Sequence, residues 1–262
     1  MREKTPLLLY PPLIEAIFEL HWELAYDKEK GQYCDISYPM MYGRIYERLK
    51  KDFPFIEDLP STQLLPEASP YLVRHRMRKE KDGYPLVQIG PGIITVNEAK
   101  GYSWKSFSSN VLKLVDSVID FYPEQGHPLR FIRCEIRFLN AVPIEPKNEN
   151  PLAFLEEKLH TRIELDPDFF IANQLDLQPH SVNLNLGYDL QKPKGSLGLN
   201  VQLGKMNEIE AYVFQILIQS IQQEIPSDHS SLESWLNQAH SVAENTFCTF
   251  CKGFLMEKFC GL

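Results

Sequence analysis

The sequence predicts an α+β protein built from two similar halves. One supporting observation is strict alternation. In "LIEAIFELHWEL" (13–24), Ile14, Ala16, Phe18, Leu20, Trp22 and Leu24 alternate with Glu15, Glu19, His21 and Glu23, as in a strand with one packed and one polar face. Another is helical spacing: Trp104, Phe107, Val111, Leu114, Val115 and Val118 recur on one side of an amphipathic helix. The third is that the order of elements repeats, which places the halves at 1–128 and 129–262 as two β-α-β-β-β-α-like units in one compact body with mainly antiparallel sheets.

In the first half, "YPMMYGRIYERLKKDFP" (38–54) is expected to form a helix, opened by Pro39 and ended before Pro54. A Pro/Ser-rich connection (59–70) leads to "YLVRHRMRKE" (71–80) and "LVQIGPGIITVN" (86–97), two or three strands with a break at Gly90-Pro91-Gly92. The Trp104 helix closes the half.

The second half opens on the strand "FIRCEIRFLNAVPI" (131–144), followed by a short helix in "NPLAFLEEKLH" (150–160) with Pro in its first turn. "SVNLNLGYDL" (181–190) and "SLGLNVQLG" (196–204) alternate on either side of "QKPKG". The start of "IEAYVFQILIQSIQQEI" (209–225) is rich in β-branched and aromatic residues, which favours a strand. A last helix is expected from a Ser230-x-x-Glu233 capping box through Phe254.

Composition narrows the function classes. Lys plus Arg number 27 against 35 Asp plus Glu, and the resulting charge of −8 argues against whole-chain attraction to nucleic acid or anionic membrane. The N-terminal apolar stretch is too short and Pro-broken to span a bilayer and lacks a small-residue cleavage site. Five cysteines do not read as a disulfide framework, so a reduced, cytoplasmic setting is expected. Phosphate-loop, dinucleotide and Gly-x-Ser-x-Gly signatures are absent, and no cofactor is expected.

Aligning the first strands of the halves sets Glu15 and Glu19 against Arg133 and Arg137. Packed about a pseudo-two-fold axis, these strands would lie side by side with glutamates opposite arginines. One reading is an ion-pair ladder that docks the halves. The other is a polar cleft in which Arg133 or Arg137 binds a small anionic or polar ligand, oriented by Glu15 or Glu19, with Asn140 as a further candidate ligand-binding residue. Glu15, Glu19 and His21 span about 20 Å of strand at ~3.3 Å per residue, too far apart to share one metal ion.

"PPLIEAIFEL", "LVQIGPGIITVN", "GYSW" and "IRCEIRFLN" resemble the blocks of a sporadically distributed, functionally uncharacterised family of bacterial and archaeal proteins. The resemblance runs in order over most of residues 8–141 and more loosely around Trp235 and His240. It marks Pro12, Glu15, Phe18, Gln88, Asn97, Trp104, Arg133, Arg137 and Asn140, and it implies no activity.

Other constellations are weaker. Arg74, Arg76 and Arg78 share one strand face and are the residues a nucleic-acid backbone would use, although such a run is more often a solvated face. Asn183, Asn185, Asn200, Gln202, Gln215 and Gln219 sit opposite the apolar faces of their strands and could line a pocket for a polar ligand. The tail "FCTFCKGF" (247–254) reads as the end of the last helix, packed through its phenylalanines, with Cys248 and Cys251 as neither metal nor redox ligands. The sequence therefore points to a non-catalytic ligand- or partner-binding protein with a Glu/Arg seam. The partner would be a small ligand or a protein. The alternatives are nucleic-acid binding through the arginine stripe, or an enzyme using Glu15, Glu19 and Arg137.

Overall fold

The computed structural model describes residues 8–29, 31–65, 69–123, 127–144, 150–206, 208–221 and 224–262. Residues 1–7, the head of the N-terminal apolar stretch, and residues 222–223 of the 209–225 segment lie outside the described residues. No helix among the described residues is long and apolar enough to cross a membrane.

The fold is α+β. The first half runs β1 (Leu13–Trp22), β2 (Ala25–Asp27), β3 (Gln32–Cys34), α1 (Tyr38–Leu49), β4 (Phe55–Asp58), β5 (His75–Arg78), β6 (Leu86–Gly90), β7 (Ile93–Glu98) and α2 (Trp104–Phe121). The second runs β8 (Phe131–Pro143), α3 (Pro151–Leu159), α4 (Pro167–Asn173), β9 (Asn183–Gln191), β10 (Lys194–Met206), β11 (Ile209–Ile221), α5 (His229–Phe250) and α6 (Phe254–Cys260). One antiparallel sheet takes nine strands in the order β4-β5-β6-β7-β1-β8-β11-β10-β9, while β2 and β3 form a separate pair. In each half the first strand lies beside the last, β1 by β7 and β8 by β11, and the two first strands pair with each other at the centre.

Alternation decides which face is covered. Ala16, Phe18 and Leu20 of β1 and Cys134, Ile136 and Phe138 of β8 point to one side, where they join Phe107, Val111 and Leu114 of α2 and Leu232, Trp235 and Leu236 of α5 in one core. A second cluster links the far ends of β8, β10 and β11 to α3 and α6 through Tyr212, Phe214, Leu155 and Leu255. The buried Trp22 indole donates to Asp35 at 2.9 Å, and the Asp35 carboxylate also accepts from the backbone N–H of Gly92, Ser37 and Tyr38. One carboxylate thus fixes the start of α1 against the β6–β7 turn.

Several expectations need correction. β4, the β2–β3 pair and α4 are additional elements: β4 is a four-residue strand straight after Pro54, too short to alternate, whereas α4 carries a readable signal in the Asp166 N-cap and Pro167. The last helix is capped by Asp228 with Ser231 reciprocating, two residues upstream of the expected box. It also stops at Phe250, because Gly253 at φ +80° breaks the backbone before α6. Phe254, expected in the core, is 54% exposed with the Lys158 ammonium 3.6 Å above its ring. Ile14 is displaced by an irregularity in the β1–β8 register and is partly exposed. The 209–225 segment does carry the expected strand, β11.

Gly90 is the tightest approach in the first half. A Cβ there would lie 2.1 Å from the Leu72 carbonyl oxygen, which is main chain and cannot swing away. Gly90→Ala is expected to cost about 3 kcal/mol, the upper end of overpacking penalties, measured as a fall in the urea midpoint at unchanged m. A change under about 0.5 kcal/mol would mean that the 71–73 segment does not hold this position.

Candidate functional site

The centre of the sheet is the seam where β1 meets β8. Their register sets Glu19 opposite Glu135, His21 opposite Arg133 and Ile17 opposite Arg137. The expected facing of glutamate and arginine is therefore corrected: the antiparallel pairing puts two carboxylates face to face and the arginines on the diagonals. Facing like charges destabilise a sheet unless they are neutralised, and here they are. Arg133 Nε donates to Glu135 Oε2 at 2.7 Å, and Arg137 reaches Glu19 Oε2 at 2.7 Å and lies 3.0 Å from Glu135 Oε1. Gln219 of β11 donates to Glu135 at 3.2 Å, and His21 Nε2 lies 2.6 Å from Glu19 Oε1. The Glu135 side chain is fully buried, whereas those of Arg133 and Arg137 keep 41% and 29% of their surface. Burial alone would raise the Glu19 carboxyl. The His21 hydrogen bond and the charges of Arg137, His21 and Arg133 outweigh it and hold its pKa below the ordinary value. Glu19 is thus a committed carboxylate, unsuited to act as a general acid at neutral pH.

Glu15 stands apart from this ladder. It accepts from Asn97 Nδ2 at 2.9 Å and from the Tyr84 hydroxyl at 3.2 Å. Asn97 belongs to a buried amide and hydroxyl chain in which Gln88 donates to Thr95 and Asn97, and Arg76 donates to Gln88. The register aligns one residue from every strand of the sheet in a single polar row: Glu57, Arg76, Gln88, Thr95, Glu19, Glu135, Gln219, Ser196 and Asp189. Sequence reasoning missed Glu135, the buried centre of that row, although it alternates with Arg133 and Arg137 on the polar face, because aligning the halves sets it against Ile17 and gives it no charged counterpart.

The arginine stripe is largely spoken for. Arg74 precedes β5, is only 5% exposed, and donates to the Leu64 carbonyl and the Ser69 hydroxyl. Its placement in a contact stripe is corrected, since it faces the protein interior. Arg76 and Arg78 do share a face, and both bind Glu57. The second-half amides lie on the sheet surface, with Asn183, Asn185 and Gln202 exposed and Asn200, Gln215 and Gln219 half-buried.

Asn140 is on the other side of the sheet. It shares the core face with Phe138, is 3% exposed, and donates to the Phe138 carbonyl at 3.4 Å. There it lines a half-open pocket of about 180 Å³ walled by Pro12, Leu13, Phe138, Ile216 and Phe247, with the side chains of Tyr102, His240 and Glu244 around it. Residues of both halves contribute. The Tyr102 hydroxyl is buried without a hydrogen-bond partner among the described residues, and His240 stacks on Trp104 at 4.0 Å. Burial, then the charges of Glu98 and Glu244, pushes the Tyr102 pKa up, and burial lowers that of His240 against the opposing charge of Glu244. A larger depression of about 780 Å³ lies far from the seam, between residues 176–180 and the β10–β11 turn, and contains none of the expected site residues.

No protein-family model matches the chain, and neither does any curated protein. The solved structure of Methanococcus jannaschii TBP aligns with 90% of this chain and 97% of its own at 14% identity, with a TM-score of 0.26 that supports no inference.

Among the described residues no three His, Cys, Asp or Glu side chains gather as a metal site. None of the five cysteines is in a disulfide; burial raises the thiols of Cys248 and Cys251, the latter to about 12, the opposite of a reactive thiolate.

Replacing Glu135 tests the ladder. Glu135→Gln leaves two arginines without their shared anion and is expected to cost about 3 kcal/mol, the low end for breaking a buried pair because both arginines reach water. Glu15→Gln should cost about 1 kcal/mol, because only neutral donors serve it. Equal costs by urea denaturation would contradict the ladder's central role.

Proposed function

We propose that the protein is a non-catalytic binding protein that holds a small, largely apolar ligand in the cavity between α5 and the paired strands β1 and β8. The observation that carries this is the buried, unpartnered Tyr102 hydroxyl beside that cavity. Buried polar groups are nearly always satisfied; Tyr102 is one of seven residues with an unpartnered buried side-chain atom among the described residues and the one of them that lines this pocket, which is what supports a ligand there. On this reading the Glu/Arg seam is a fastener. Glu19, Glu135, Arg133 and Arg137 balance one another in charge and are ion-paired, so an anion arriving there would have to displace a carboxylate. The same pairing, with the lowered pKa of Glu19, weighs against an enzyme that uses seam carboxylates. The buried Arg74 and the Glu57-bound Arg76 and Arg78 weigh against a nucleic-acid stripe. Five cysteines with no disulfide among them suit a reducing, cytoplasmic setting.

A protein partner has one observation in its favour. The polar face over β9 and β10 is open and carries uncharged amides, with Asn183, Asn185 and Gln202 exposed. That surface could take a partner while the cavity is occupied.

A cavity-filling variant separates the ligand reading from its absence. Ala243, on α5, is 4% exposed and lines the cavity, so Ala243→Leu should fill it and raise stability by about 0.5–2 kcal/mol. Benzyl alcohol at 100 times its Kd should stabilise the parent by about 2.7 kcal/mol and leave the filled variant unmoved. A thermal shift that is the same in both proteins would count against the cavity, as would no shift in either.

A further inference from the structure

The two edges of the nine-stranded sheet are protected very differently. β4 is four residues long, carries Glu57 and Asp58, and is bracketed by Pro54 and Pro60. Short length, charge and proline are the devices that keep a sheet edge from pairing with another chain. β9 has almost none of them. It runs nine residues, Asn183–Gln191, with no proline, lysine or arginine inside it, and its register with β10 is unbroken by a bulge. Asp189 is its one charge, in a protein of charge −8. Among the described residues no backbone hydrogen bond joins β9 to any element but β10, so its outer N–H and C=O groups are open to water. Tyr188, in the middle of this edge, is 52% exposed.

The pattern of β9 fits a second copy of itself. Two β9 strands related by a two-fold axis run antiparallel, and their side chains keep to matching faces only when paired residue numbers share parity. With the axis at Gly187, Leu184 faces Leu190 of the second copy and Leu186 faces its Tyr188, apolar against apolar. On the other face Asn185 meets Asp189 of the second copy, and Asn183 meets its Gln191. Each carboxylate then has an amide donor opposite it, and no two carboxylates meet. The polar row that crosses the sheet ends at Asp189, and this pairing carries it on into Asn185 of the next copy. A foreign strand would gain the same main-chain bonds without this reciprocal set of side chains. We infer that the protein forms a two-fold dimer through β9, which joins the nine strands of each copy into one continuous sheet. The contact is closed, uses up both open edges, and leaves the guarded β4 strands at the two ends. It is independent of what the pocket at the seam binds.

The test is sedimentation equilibrium of the purified full chain over a range of protein concentrations, with three single variants beside the parent. The parent should associate reversibly, its mass doubling as concentration rises and going no further. Gly187→Lys should abolish the dimer, because it sets two ammonium groups together on the axis. A Cβ at Gly187 meets nothing within 4 Å, so the variant should fold, and an unchanged circular dichroism spectrum checks that it has. Asn185→Asp puts a carboxylate opposite Asp189 at two symmetry-related places and should weaken the dimer about fivefold, whereas Asn185→Lys should tighten it about fivefold. A parent that stays monomeric at the highest concentration overturns the inference. So does a dimer that Gly187→Lys leaves intact, one in which the two Asn185 variants move in the same direction, or association that continues beyond two copies.

Discussion

The pairing of β1 with β8 is the constraint on which the rest of the structure depends. A sheet of nine strands has its middle at this one ladder, and the ladder sets two carboxylates, Glu19 and Glu135, directly across from each other. Left alone, that arrangement would push the strands apart. Arg133 and Arg137 on the diagonals, with His21 and Gln219 beside them, turn the repulsion into a neutral bonded cluster. Because side chains alternate with period two, a slip of one residue would carry every one of these groups into the apolar core. The cluster therefore specifies register as well as holding the halves together.

That register also determines what lies on the reverse face. With Ala16, Phe18 and Leu20 committed to the core alongside Cys134, Ile136 and Phe138, the next core-facing position on β8 is Asn140, and the displaced Ile14 lets Leu13 turn inward opposite it. α5 crosses here with Ala239 and Ala243 in the core and Phe247 packed against its edge. Small residues on the helix and an amide on the strand leave space where larger apolar side chains would have closed it. The polar ladder and the cavity are two sides of one pairing, one holding the halves together and the other leaving room between them.

Much of the fold could be read from residues alone. The alternation in β1 and β8, the stripes of α2 and α5, and the pairing of β9 with β10 follow from period and turn chemistry, which are local properties. What could not be read is non-local. Glu135 shares a polar face with Arg133 and Arg137, but its facing partners come from β1 and β11, distant in sequence, so its place at the centre of the ladder is not legible locally. Arg74 looked like part of a basic stripe, but the stripe starts one residue before β5, where the chain turns it inward toward Ser69 and Leu64. Asn140 follows the arginines in sequence, yet its odd separation from Arg137 puts it on the opposite face of the strand. The break at Gly253 was visible as a glycine, but the strength of the phenylalanine spacing hid it.

The central claim is that the ladder is closed and the opposite face of the seam is the one that receives a ligand. Side-chain NMR on arginine Nε–H and asparagine amide groups reads both faces in one titration. On adding benzyl alcohol, the account predicts movement of the Asn140 amide and the Trp104 indole resonances, with the Nε–H signals of Arg133 and Arg137 unmoved. Movement of the two arginine signals with Asn140 unchanged would contradict it.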